Sequence, residues 1–380
     1  MRGPLPAGRA LLQQAAVFAA LAALIAYLGY NLEANLAQRA IRTGFAFLGE
    51  PAGFGIGEAL IPFKSQDSYA RALLVGLLNT LMVAALAGIA STLLGTLIGV
   101  ARLSRNPLVA FPAGAYVEAI RNVPLLLQLF LWYAVLTQLL PPVERAVALL
   151  PGLYLSKNGL NLPALLGGPA EYRALAALLV GALLALVLRG FVTHRSAAPP
   201  AWLGPAMLAL ILLPAAAILV ATDGAVRLDI PVPTRFGFRG GGNFGPELMA
   251  LLTGLSLYNT AFIGEIVRSG IQSVGKGQRE AASALGLRGG QTIRLIVIPQ
   301  AMRVVIPPLA SQYLNLVKNS SLAVAIGYPE LMSVAGTTLN QTGQAVEVIG
   351  LTMAVYLVIS FAIALAMNLY NARILRWRAA

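Results

Sequence analysis

From Leu11 to Leu32 the chain runs 22 residues without a charged side chain. Further charge-free runs occupy Ala72–Ala101, Asn122–Val143, Ser196–Thr222 and Val348–Ala372. A helix needs about 20 apolar residues to cross the hydrocarbon of a bilayer. In lipid the backbone has no water to bond, so a single span must satisfy its own N–H and C=O groups as a helix. Barrel strands alternate apolar and polar residues and leave no such runs. Apolar residues make up 58% of the 380 and charged residues 11%, against roughly 25% charged in a soluble domain. This much apolar surface has to face lipid. The chain reads as an all-α membrane protein.

Three weaker segments with internal charges, Ala174–Val192, Leu248–Ile271 and Val304–Tyr328, extend the series. The run ending at Val143 starts near Val109 and takes in Glu118 and Arg121. About eight spans are therefore expected. Arg2 and Arg9 precede the first, as in a signal peptide, but its apolar stretch exceeds the roughly 7–15 residues of a signal core. It is expected to stay as an anchor. The segments from Ala174 and from Ala201 are joined by Thr193–Pro200 and read as a helical hairpin. None of the Gly- and Pro-punctuated outer loops reads as a domain of its own.

Basic residues fall on alternate sides of these spans. With the N-terminus inside, the inner segments hold 15 of the 27 Lys and Arg, while the outer loops hold 10 basic and 11 acidic residues. The positive-inside rule then orients both termini to the cytoplasm. It also accounts for the net charge of +13 without nucleic acid. There is no cysteine and one histidine, His194, which excludes disulfides, thiol nucleophiles and multi-histidine metal sites. The acids are scattered, so no catalytic, cofactor or metal site is expected on this chain.

The longest inner segment, Ile271–Arg303, carries the most specific pattern. Gly275 and Gly277 break the preceding helix, and Arg279–Leu285 is a run of helix formers stopped by Gly286. Leu287–Gly290 reads as a turn. A second short helix is expected to place Ile293, Ile296 and Val297 on one face. Two short helices of this kind would form a plug suited to a partner's groove. Gly270–Gly277 mimics a phosphate-binding loop, but Gly277 stands where a Ser or Thr must ligate Mg²⁺.

Glu280-Ala281-Ala282, then Gly286, then Ile296 and Pro299 resemble the EAA loop of ABC importer permeases. The blocks Tyr116–Gln128, Glu265–Ala282 and Gln312–Leu322 are similar to the polar amino acid branch of that family, in the family's order. The resemblance covers roughly Leu73–Leu140 and Leu248–Arg376. It implies a five-span core that passes amino acids through the inner membrane of a bacterium, coupled to ATP hydrolysis through this loop. It also implies an ATPase dimer carrying ATP and Mg²⁺, a second permease subunit and a periplasmic solute-binding protein. The expected division is an N-terminal helix and outer loop over 1–71, core over 72–140, an insertion with two helices over 141–246, and core over 247–380. The insertion and the extra N-terminal span resemble enlarged, broad-range amino acid permeases. A self-sufficient secondary transporter or channel is the alternative; it would need its own ion-coupling residues and no docking loop.

Charges within spans cost several kcal/mol unless paired or solvated. Glu118 and Arg121, and likewise Glu265 and Arg268, sit three apart and are expected to pair locally. Lys318 has no acid at helical spacing, and Asn315, Asn319, Ser320 and Ser321 surround it. A zwitterionic substrate needs polar groups along its path, and those in the matching blocks are Gln128, Asn259, Glu265, Asn315, Lys318 and Ser321. Lys318 is expected to meet a carboxylate, either the substrate's or that of Glu265. Gly95 and Gly99 form a GxxxG that permits close helix approach. Pro307-Pro308 is expected to mark a kink.

Overall fold

The computed structural model describes residues 7–38, 43–165, 200, 202–221, 228–234 and 237–376, with isolated positions between 177 and 192. Its helices are α1 (Ala7–Gln38), α2 (Tyr69–Ala101), α3 (Pro107–Asn122), α4 (Leu125–Ala134), α5 (Leu203–Ala221), α6 (Pro246–Gln272), α7 (Lys276–Ala284), α8 (Gly289–Thr292), α9 (Ile298–Asn319), α10 (Leu331–Thr342) and α11 (Ala345–Arg376). Two compact units result: Met1–Leu129 with Leu251–Ala380, and Phe130–Ala250.

Five helices among the described residues are long and apolar enough to span a membrane: Leu12–Asn31, Tyr69–Ala101, Pro246–Gln272, Gly289–Ile326 and Ala345–Asn371. A bent pair, Pro107–Asn122 with Leu125–Leu139, makes a sixth if counted as one span. Of the eight expected, the segment from Ala174 falls largely outside the described residues, and α5 contains only a shorter apolar helix, Leu203–Ile218. Gly181 nevertheless lies so close to the backbone of Leu210 and Ile211 that an added Cβ would fall 2.5 Å from the Leu210 carbonyl.

The straight span expected from Val109 to Val143 is broken. Asn106 caps α3 by accepting from the Leu108 N–H at 2.9 Å, with Pro107 at the first helical position. Pro124 then forces the residue before it out of the helical region. Val123 is extended (φ −106°, ψ 127°) and the chain turns by 106° into α4.

In the first unit the helices meet at glycines. A Cβ on Gly99 would sit 2.6 Å from the Gly264 carbonyl, and one on Gly95 would sit 2.7 Å from Ile263. The GxxxG of α2 therefore seats against α6. A Cβ on Gly76 would fall 3.0 Å from the Leu331 Cα, which sets the start of α10 against α2. Residues 43–68 form a strap over this end. Phe47 and Ala52 bury against Tyr69, Ala72, Leu331, Val334 and Val348. Its fastenings are polar: Gly44 N–H donates to Glu347 at 2.8 Å, and Asn79 donates to the carbonyls of Glu58 and Pro329 at 2.8 and 2.9 Å.

The second unit holds the strands described. Strands β1 (Val147–Leu150), β2 (Leu153–Ser156), β3 (Gly159–Leu162), β4 (Ala164–Leu165), β5 (Leu228–Asp229), β6 (Val232–Thr234), β7 (Gly237–Arg239) and β8 (Gly242–Phe244) follow in order. A four-stranded antiparallel sheet runs β1-β2-β3-β8, with Leu160 opposite Phe244. Gly159 at φ 98° is where the β3–β8 pairing needs glycine, because a Cβ would fall 2.0 Å from the Phe244 carbonyl.

Candidate functional site

The Ile271–Arg303 segment is built as a protruding hairpin. α7 ends in a Schellman motif: Leu287 N–H bonds the Ala282 carbonyl at 3.0 Å and Gly286 N–H bonds the Ser283 carbonyl at 2.9 Å. Gly286 adopts φ +77°, the left-handed conformation that the motif demands of its residue. Arg288 N–H donates to Gln291 at 2.9 Å and starts α8. One correction concerns the second short helix. It continues through a π turn, Ile293–Val297, directly into α9, so hairpin and span form one rod. The helix also continues through Pro307-Pro308, the position of the expected kink.

The hairpin rests on Val274, Val297, Ala301 and Ile271, with Ala282 buried on α7. Glu280, Ala281, Gly286 and Pro299 are exposed, Ile296 is half-buried and Ile293 is exposed. The apolar face expected at Ile293, Ile296 and Val297 is thus mostly open, with only Val297 covered. No atom lies within 4 Å of a Cβ placed on Gly286. This exposed tip can receive a partner chain.

The expected charge pairs fare differently. Glu265 pairs with Arg268 (2.5 Å to Nη2, 3.1 Å to Nε) and also with Arg102 at the end of α2. Arg268 continues to Gln272 at 2.7 Å. Glu118 and Arg121 do not pair. Both are exposed, and the Arg121 guanidinium lies over the Phe262 ring, 5.2 Å from its centre.

The expected path residues differ in burial and in partners. Gln128 is buried and donates to the carbonyls of Ile120 and Val123, both at 2.9 Å, so it serves the α3–α4 break. Asn259 is fully buried and donates to Leu255 at 2.8 Å, leaving its own oxygen without a partner. Glu265 is held by Arg102 and Arg268 and not by Lys318, for which it was one of two carboxylates considered. Asn315 and Lys318 are exposed on α9, Lys318 forms no ion pair among the described residues, and Ser321 donates to the Lys318 carbonyl at 2.7 Å.

One buried acid, Glu330, lies just beyond the Val304–Tyr328 segment, outside the expected spans. It is fully buried at the start of α10. Its carboxylate accepts from the Ser333 N–H at 2.8 Å, the Tyr356 hydroxyl at 2.9 Å and the Thr80 hydroxyl at 3.4 Å. Burial pushes its carboxyl above the ordinary glutamate range, and these donors offset part of that rise. Burial raises the neighbouring Tyr328 phenol as well, with Glu58 and Glu330 adding to the effect. The hydroxyl of Tyr356, inside a charge-free run, was the available signal of a buried acceptor.

The model of the family described as binding-protein-dependent transport system inner membrane component matches residues 174–378. Across 374 residues the chain is 45% identical to YhdX of Escherichia coli K12, a protein named as an amino-acid ABC transporter permease, covering 97% of this chain and 95% of that one. The chain belongs to that family. The general L-amino acid transport system permease protein AapQ of Rhizobium johnstonii is 42% identical over 371 residues, covering 97% of this chain and 92% of AapQ. BztB of Rhodobacter capsulatus, a glutamate/glutamine/aspartate/asparagine transport system permease, is 39% identical over 377 residues, covering 90% of this chain and 88% of BztB. As a binding-protein-dependent transport component, the chain is an integral inner membrane protein of the ABC permease kind. The matched region contains the exposed hairpin, Lys318 and Glu330; Glu118, Arg121 and Gln128 precede it.

Proposed function

We propose that this chain is the channel-forming subunit of an ATP-driven amino acid importer, receiving force through the α7–α8 hairpin. The observation that carries the reading is that hairpin: a Schellman-terminated helix whose base is buried and whose tip is open. In this reading Glu280, Ala281, Gly286, Ile296 and Pro299 meet an ATPase dimer, and Ala282 holds α7 to its base. ATP and Mg²⁺ are carried by that dimer. A second permease subunit completes the pore, and a solute-binding protein delivers the amino acid. The core is assigned to 72–140 and 247–380, flanked by the N-terminal segment 1–71 and the insertion 141–246. The test is purification of the tagged chain from its native membrane. An ATPase of the ABC type is expected to come with it, and a chain that transports without one is the self-sufficient transporter instead.

Both termini are placed in the cytoplasm by the arginine distribution. Because the chain has no cysteine, single introduced cysteines report sidedness. Ser65, Asn158 and Asn340 are exposed and are expected to label from outside; Ser104 and Ser283 are expected to label only after permeabilisation. Ser156, on the same outer segment, is fully buried in β2 and would be silent. Labelling of Ser283 in intact cells would invert the topology.

Asn315, Lys318 and Ser321 are assigned to the translocation path, since Lys318 offers an exposed, unpaired cation to a substrate carboxylate. Gln128, Asn259 and Glu265 are assigned to holding the helices. Lys318→Met is expected to leave membrane abundance unchanged, because exposed substitutions usually shift stability by no more than about 0.5 kcal/mol. Uptake in proteoliposomes is expected to change its preference among acidic, neutral and basic amino acids. Unchanged uptake of all three removes Lys318 from the path.

A further inference from the structure

We infer that Arg102 and Glu265 form the mechanical link that carries movement of the α7–α8 hairpin into α2. The inference rests on the proposed role of that hairpin in receiving force. At its base the hairpin is tied to the end of α6 directly and through α9. Arg279 donates to the Ile271 carbonyl at 3.1 Å. Val274 packs with Val297 and Ala301. Gly270 lies so close to α9 that an added Cβ would fall 2.3 Å from Val305. A displacement of the hairpin therefore displaces the end of α6.

From α6 the displacement must reach the next helix of the core. Gly264 sits between Gly95 and Gly99 of α2; a Cβ on Gly264 would fall 3.3 Å from the Gly95 carbonyl. Contact of this kind resists approach strongly but resists separation weakly, because a gap of about 0.5–1 Å already forfeits a quarter to a half of the dispersion. A link that also pulls needs an attraction of longer reach. Glu265, next to Gly264, meets Arg102, three residues beyond Gly99. Their side chains are 25% and 15% exposed, which keeps the attraction stronger than between fully solvated charges. Arg268 grips the same carboxylate and passes on to Gln272, the last residue of α6. Gly contacts for pushing and the Arg102–Glu265 pair for pulling make α2 and α6 follow one another.

The test uses the complete importer in proteoliposomes, with membrane abundance, ATPase association, ATP hydrolysis and uptake measured together. Arg102→Gln is expected to assemble and hydrolyse ATP while uptake per ATP falls about two- to thirtyfold, the range over which substitutions along a coupling network change coupling. Arg102→Lys keeps the charge and is expected to restore most of it. Unchanged uptake per ATP in Arg102→Gln overturns the inference, and so does an equal loss in Arg102→Lys. If Arg102→Gln fails to reach the membrane, Glu265→Asp takes its place. It keeps every charge but withdraws the carboxylate by one methylene. A fall in uptake per ATP is expected there, and none overturns the link. Failure of the underlying functional reading has a separate signature, since the wild-type chain would then bind no ATPase.

Discussion

Replacing Gly286 by aspartate is expected to abolish uptake while leaving the chain in the membrane. Within the chain the substitution is cheap. A Cβ at Gly286 meets nothing within 4 Å, so the internal cost is that of φ +77°. For an L-residue this is about 1–2 kcal/mol, with Asp among the side chains that tolerate the conformation best. Against a docked partner the cost is larger, since an unpaired carboxylate buried at an interface costs several kcal/mol. Each 1.4 kcal/mol is about a tenfold loss of association. Uptake in proteoliposomes is expected to fall by at least about tenfold, with ATPase copurification reduced to match. Gly286→Ala separates strain from docking. It carries at least as large a backbone cost with little bulk and no charge, and is expected to keep most of the uptake. Full activity of Gly286→Asp would falsify the docking role of the hairpin tip.

The second large effect is expected at Glu330. Its carboxylate joins three elements by accepting from Thr80 on α2, Ser333 on α10 and Tyr356 on α11. Glu330→Leu strands these donors in the core, at about 1–3 kcal/mol for each that finds no other partner. Glu330→Gln keeps an acceptor oxygen and is expected to be much milder. Thermal unfolding of detergent-solubilised protein measures both, and a Leu variant as stable as Gln would remove the network from the stability of the core.

The same residue sets a pH dependence. The folded carboxyl is raised above its unfolded value by burial. The folded state therefore holds this proton more tightly than the unfolded chain does. The resulting stabilisation is complete below the ordinary glutamate range, near 4.3. It is lost as pH rises through the raised folded value. Wild-type protein is expected to lose stability over that interval relative to Glu330→Gln, which cannot titrate. Parallel pH profiles for the two proteins would show that Glu330 stays ionised in the fold.

Several features were legible because they depend on local sequence. A charge-free run of 20 or more residues can only be a helix in lipid, whatever its neighbours, and Tyr69–Ala101 and Ala345–Asn371 emerged as long apolar helices. Gly286 was legible as a stop because helix formers precede it and the left-handed turn needs glycine. The bend at Val123 was missed although Pro124 announced it. Hydropathy does not respond to one proline, whereas the backbone does.

Partnership across helices was decided by the fold. Glu265 and Arg268 lie one turn apart and are a pair in any helix, but Arg102 joins them only because Gly95 and Gly99 bring α2 against Gly264. Glu118 and Arg121 have the same spacing and stay apart, because Phe262 of α6 offers the guanidinium a ring face. Glu330 reads as a loop acid until α2, α10 and α11 close around it, and β3 finds its partner β8 about 80 residues further along the chain. The sequence by itself determined the long apolar helices, the stop at Gly286 and the membrane environment, since each follows from composition and spacing within a few turns of chain. Which polar groups meet, and which stay buried, depended on how those helices pack, because a hydrogen bond or ion pair is set by distances of a few ångströms between segments that the linear order does not relate.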